Sequence, residues 1–177
     1  MYYFIIGSFE KGGFQNSNIG NSKYLGRAKT KDKYIALMDI LSVDLFDKTE
    51  VSNEVDKIFF EKYKDNITGD LYFIEDKKII NKLDYLQEVE EGETYKNEII
   101  VKNIKTNEEI KVICFFSNQT LEKGVKNIQD IVNEYSNEEK IKALERVILM
   151  QQHKGKETMT EWVNKLNKLK EENDKDI

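Results

Sequence analysis

The chain opens on an apolar run, Tyr2 to Ile6, that breaks on Gly7-Ser8, and this predicts a buried first strand. Glu10 to Ser22 is rich in Gly and Asn and predicts a loop, with room for a short helical turn. Tyr24 to Ala28 and Tyr34 to Met38 predict short strands around a Lys/Asp turn. Between Ser42 and Asn66 the pattern is irregular, and Ile58-Phe59-Phe60 is read as a strand. Gly69 to Ile74 predicts another strand. Asp76 then caps a helix whose Ile79, Ile80, Leu83 and Leu86 fall on one face. That helix runs into the acidic stretch Glu88, Glu90, Glu91 before Gly92. Ile99 to Val101 and Ile110 to Phe116, joined by the polar Lys105–Glu108, predict a hairpin.

After Asn118 the period changes. Val125, Ile128, Ile131 and Val132 have helical spacing. Ser136-Asn137-Glu138-Glu139 and Thr158-Met159-Thr160-Glu161 read as capping boxes. The first opens a helix with Ile141, Leu144 and Ile148, and the second one with Met159, Trp162, Val163, Leu166 and Leu169. The tail from about Glu171 is charged and expected to fray. These elements imply an α+β chain: a domain over 1–118, and C-terminal helices over 119–177 packing on it. The helical stripes read first as packing faces and second as a surface for a protein partner.

With 177 residues, 39% hydrophobic and 34% charged, the chain can bury a core and carries a highly charged surface. A net charge of −5 with interleaved lysines argues against nucleic acid and anionic membranes as partners. The single cysteine, Cys114, sits in an apolar strand pattern, and the single histidine, His153, lies near the end of a helical one. One of each excludes an intramolecular disulfide and a Cys/His zinc site, and no metal or cofactor is expected. The short N-terminal run lacks a basic flank, and no apolar stretch reaches spanning length, so a soluble, cytoplasmic protein is expected. The absence of proline leaves turns to Gly, Asn and Asp.

The candidate chemistry starts at the first strand. A strand that stops on Gly7-Ser8 frees backbone N–H groups that can hold a carboxylate or a developing oxyanion. Acids follow the helix between Gly69 and Tyr95, and donors plus an acid suffice for proton transfer on an amide.

The ordered motifs Ile6-Gly7-Ser8-Phe9, Leu25-Gly26-Arg27-Ala28-Lys29-Thr30, Tyr34-Ile35-Ala36-Leu37, Gly69-Asp70-Leu71-Tyr72 and Leu83-Asp84-Tyr85-Leu86-Gln87, then Tyr95 and Glu98 to Val101, span residues 2–116. In that order they resemble the γ-glutamylcyclotransferase-like family, which includes AIG2-like and γ-glutamylamine cyclotransferase proteins. The resemblance implies a small mixed β-barrel-like sheet with flanking helices and a pocket at the end of the first strand. It implies a small γ-glutamyl ligand held by Ile6, Gly7, Ser8, Phe9 and Tyr95. The reaction it implies is attack of the freed α-amine on the γ-carbonyl, releasing 5-oxoproline. Two positions depart from the family pattern. Ile6 stands where the family has Tyr, and Gln87 stands where it has the catalytic Glu. A glutamine amide cannot accept a proton at neutral pH. The adjacent Glu88 is the alternative base, although successive helical residues point roughly 100° apart. The resemblance therefore leaves an active cyclotransferase and a catalytically inactive member that binds a small ligand or a protein partner both open.

Overall fold

The computed structural model describes residues 1–13, 15–38, 43–47, 54–121, 123–124, 136–138, 141 and 156–175. Its centre is a closed five-stranded barrel in the order β1-β5-β2-β6-β7, built from β1 (Tyr2–Ile5), β2 (Lys23–Thr30), β5 (Thr68–Phe73), β6 (Thr94–Asn103) and β7 (Glu109–Ser117). Four pairings are antiparallel. The fifth, β1 with β7, is parallel, runs through Tyr3 and Ile113, and makes the sheet mixed. β3 (Ile35–Met38) and β4 (Val43–Phe46) form a separate antiparallel pair.

Strand alternation explains why β1 is apolar on both faces. Phe4 points into the barrel with Ala28, Leu71, Val101, Val112, Cys114 and Phe116. Tyr3 and Ile5 point outward onto Tyr72, Ile74, Ile80 and Leu83 beneath helix α2 (Lys77–Leu86). Asp76 caps α2 as expected, its side chain accepting the Lys78 N–H at 2.8 Å. A third cluster joins Ile35, Phe46, Phe60 and Leu121.

Several expectations change. Ile58-Phe59-Phe60 lies in helix α1 (Glu54–Tyr63), not in a strand. On a strand, residues two apart share a face. Here Phe60 is 3% exposed and Ile58 65%, as the helical period demands. β4 lies in the stretch the sequence left unread. β2 and β3 are not partners: β2 pairs with β5 and β6, and β3 with β4. The last helix, α3 (Lys156–Lys175), begins two residues before the expected cap at Thr158 and continues past Glu171. Ser136 lies directly before helical residues 137–138. Val125, Ile128, Ile131, Val132, Leu144, Ile148 and His153, and the side chains of Met159, Trp162, Val163 and Leu166, lie outside the described residues. Among the described residues no helix is long and apolar enough to cross a membrane.

Candidate functional site

β1 ends in a tight turn, Gly7–Phe9, one 3₁₀ winding long. Gly7 carries φ +70°, a backbone state that side chains disfavour, and the chain can reverse there because Gly has none. Three hydrogen bonds fix the turn. The Gly7 N–H donates to Glu10 Oε1 at 2.9 Å, the Glu10 N–H to the Gly7 carbonyl at 3.1 Å, and the Gln15 N–H to the Ser8 carbonyl at 3.0 Å. In a trans peptide the C=O and the following N–H point in opposite directions. The Ser8 N–H therefore points away from Glu10 and has no acceptor among the described residues, while the Phe9 N–H faces the Ile6 carbonyl across the 3₁₀ winding. Of the three amides expected to hold a ligand, Gly7's is already taken by Glu10.

Facing the turn is the C-terminal end of α2. The Gln87 N–H closes the last turn onto Leu83 O at 2.9 Å, and the Gln87 carbonyl accepts the Thr94 hydroxyl, tying the helix to β6. Glu88 follows in the left-handed region, at φ +53°. Its N–H bonds Tyr85 O at 3.1 Å and the Val89 N–H bonds Asp84 O at 3.0 Å, the paired bonds of a Schellman ending. Glycine usually fills this place, and a non-glycine there costs on the order of 1 kcal/mol. The left-handed step breaks the regular helical progression. Gln87 and Glu88 consequently line the same cleft, against the expectation that they diverge.

That cleft encloses about 280 Å³. The turn contributes Ile6, Ser8 and Phe9, the helix end Leu86, Gln87 and Glu88, and the following segment Glu93 and Thr94. Val43 and Asp44 of β4, with Gln15, Ser117 and Gln119, complete it. A smaller apolar recess between Ile6, Phe9, Leu83 and Phe115 shares Gln87 with it. Three carboxylates, Asp44, Glu88 and Glu93, line the cleft, and no Lys or Arg does among the described residues. Tyr95 does not line it. Strand alternation turns its ring onto Phe116, with centroids 5.8 Å apart, and its neighbour Thr94 faces the cleft instead. The sequence also missed Asp44 and Glu93: Asp44 sits in the unread stretch, and Glu93 reads as one more solvated acid.

Behind the turn lies a buried ionic group. Glu10 and Asp70 are 3% and 1% exposed, and Arg27 Nη1 donates to Glu10 Oε2 and Asp70 Oδ1, each at 2.8 Å. The Lys11 N–H donates to Asp70 Oδ2 at 2.6 Å. Burial works against the guanidinium charge, but the two carboxylates outweigh it and raise the Arg27 pKa. Burial, reinforced by Asp70, pushes the Tyr24 hydroxyl up to about 12.

Cys114 is a core residue whose thiol burial pushes up to about 12, which removes it as a thiolate nucleophile. A larger cleft of about 650 Å³ opens between Asp32, Tyr34, Phe60 and Ile99. It contains none of the motif residues at the end of β1 or α2, and its Lys64 and Lys111 pair with Glu61 and Glu98. No group of three or more His, Cys, Asp or Glu among the described residues could hold a metal ion.

No protein-family model and no curated protein matches the chain. Solved structures do. An AIG2-like protein from Mus musculus superposes with TM-score 0.51 at 11% identity, over 69% of this chain and 80% of that one. A γ-glutamyl cyclotransferase gives TM-score 0.47 at 16% identity, over 67% of each chain. YkqA from Bacillus subtilis gives TM-score 0.46 at 18% identity, over 67% of this chain and only 36% of YkqA. At such identities the likeness concerns the fold. The chain has the γ-glutamylcyclotransferase-like fold, a small closed mixed barrel with flanking helices, shared with the mouse AIG2-like protein.

Proposed function

We propose that this chain is a γ-glutamylcyclotransferase-like protein that takes a small γ-glutamyl compound into the cleft at the end of β1. The observation that carries the reading is the meeting of the Gly7–Phe9 turn with Gln87 and Glu88 in one cleft. The Ser8 N–H is the turn's donor for the γ-carbonyl oxygen. Gln87 offers its amide oxygen to the α-ammonium, and Glu88 is the base that removes one of its protons. The free amine then attacks the γ-carbonyl carbon. The oxyanion collapses and the γ-amide C–N bond breaks; the proton held by Glu88 and the second proton shed by the attacking nitrogen both go to the departing amine, which leaves as an ammonium. The products are 5-oxoproline and an amine, with no cofactor consumed. Ring closure within one molecule supplies much of the rate, because the enzyme has only to fold the substrate. Each oxyanion donor is worth about 10²–10³ in rate.

The second reading is a binder without turnover, supported by Gln87 standing in the family's Glu place. Measurement of 5-oxoproline release from γ-glutamyl amino acids, γ-glutamylamines and glutathione separates the two. Release that Glu88→Gln abolishes supports the enzyme. No release with thermal stabilisation by 5-oxoproline supports the binder. Neither release nor stabilisation overturns both readings of the cleft, and a stable complex in pull-down would then favour a protein partner through the C-terminal helices.

A further inference from the structure

We propose that Asp70, Arg27 and Glu10 form a positioning relay that sets the aim of the ligand-binding turn. The inference rests on the reading of the cleft given above. Asp70 is placed by β5, where it stands opposite Ile5 on β1 and Arg27 on β2. It grips the segment just past the turn through the Lys11 N–H and holds Arg27 through Nη1. The same Nη1 holds Glu10, whose other oxygen takes the Gly7 N–H. Strand register is thus transmitted, through side chains at 2.6–2.9 Å, to one peptide at the edge of the cleft. With Gly7's N–H committed to Glu10 and the Phe9 N–H facing the Ile6 carbonyl across the 3₁₀ winding, the Ser8 amide is left as the turn's donor to the cleft. Hydrogen bonds to ionised groups are about twice as strong as neutral ones, so a charged Glu10 fixes the turn where a neutral side chain would not. Both carboxylates share Nη1, while Arg27 Nε and Nη2 are buried without a partner among the described residues. A lysine ammonium could therefore take over the function.

Amide ¹H–¹⁵N spectra, hydrogen exchange and 5-oxoproline titration on the full chain test the relay. In the parent protein the Gly7 amide is shifted downfield and exchanges at least about tenfold more slowly than that of Ser8, which moves on titration. In Glu10→Gln the amide nitrogen must meet a donor, either Arg27 Nη1 or the Gly7 N–H, and the bond left to the amide oxygen loses its charge. The Gly7 signal should move upfield, its exchange should accelerate about tenfold or more, and 5-oxoproline affinity should fall roughly 10- to 100-fold. Arg27→Met should behave like Glu10→Gln, and Arg27→Lys should stay within about threefold of the parent. A purely structural network predicts a lower Tm with the Gly7 shift and the affinity of the folded fraction unchanged, and that result overturns the relay. Should Glu10→Gln not fold, the Arg27→Lys and Arg27→Met pair carries the same comparison. A parent protein that neither releases nor binds 5-oxoproline overturns the proposed function. The relay is then decided by the amides: loss of Gly7 protection in Glu10→Gln, confined to residues 7–11, upholds it, and unchanged amides overturn it.

Discussion

Gln87 is the position where one substitution says most. Its backbone is fixed at both ends, the N–H on Leu83 and the carbonyl under the Thr94 hydroxyl, so Gln87→Glu exchanges an amide for a carboxylate of the same shape. The cost is electrostatic. A negative charge at a helix C-terminus loses about 0.3–1 kcal/mol, and Glu88 beside it adds like-charge repulsion. For a partly exposed site the total stays near 1 kcal/mol, a fall of roughly 2–4 °C in Tm at this chain length. The gain, if position 87 faces the substrate ammonium, is a general base worth about 10²–10⁴ in rate, or roughly 2.7–5.4 kcal/mol of barrier. The double variant Gln87→Glu/Glu88→Gln isolates this gain from whatever Glu88 contributes. We expect it to release 5-oxoproline at least about a hundredfold faster than Glu88→Gln alone. The helix end raises the new carboxyl's pKa, so its activity is lost as pH falls through that raised value. The sign for stability is opposite: the destabilisation of single Gln87→Glu is full at neutral pH and vanishes once the group is protonated in both states. A double variant that folds and binds 5-oxoproline, yet is as inactive as Glu88→Gln, refutes the placement of position 87 against the ammonium.

Gly13→Ala would set a Cβ 2.2 Å from the Ser8 carbonyl oxygen and 2.9 Å from that of Glu10, both backbone atoms that cannot swing aside. It should cost about 1–3 kcal/mol in chemical denaturation and weaken 5-oxoproline binding more than its loss of stability explains. Cys114 should resist iodoacetamide at pH 8 in the folded protein and react fully in denaturant. Its thiol ionises near 9.0 when unfolded and near 12 when folded, so it lowers stability as pH rises between those values. With Glu88 and Glu93 lining the cleft, γ-glutamyl compounds of cationic amines should be preferred to anionic glutathione, and added salt should narrow the difference. Equal KM values for the two classes at low salt would contradict the electrostatic reading.

β1, β5, the β6–β7 hairpin and α2 were legible in the sequence because each announces itself locally. Alternation or a 3.6-residue stripe shows that a segment has a face to bury, and Asp76 and Gly7-Ser8 mark where segments start or stop. The ordered motifs carried the fold as well, because they record which segments follow one another. Periodicity does not say which partner covers a face. The pairing of β3 with β4, the assignment of Ile58–Phe60 to α1, and barrel closure through Tyr3 and Ile113 therefore came only from the assembled structure. The site shows the same division. Its two ends, Gly7-Ser8 and Gln87-Glu88, were visible as residue types. That Gly7's N–H goes to Glu10, that Tyr95 turns onto Phe116, and that Glu88 adopts φ +53° to share a cleft with Gln87 were not. Each is a choice between conformations that are nearly equal in the isolated segment. Contacts with distant residues tip that choice: Arg27 and Asp70 for the turn, and Thr94 for the helix end.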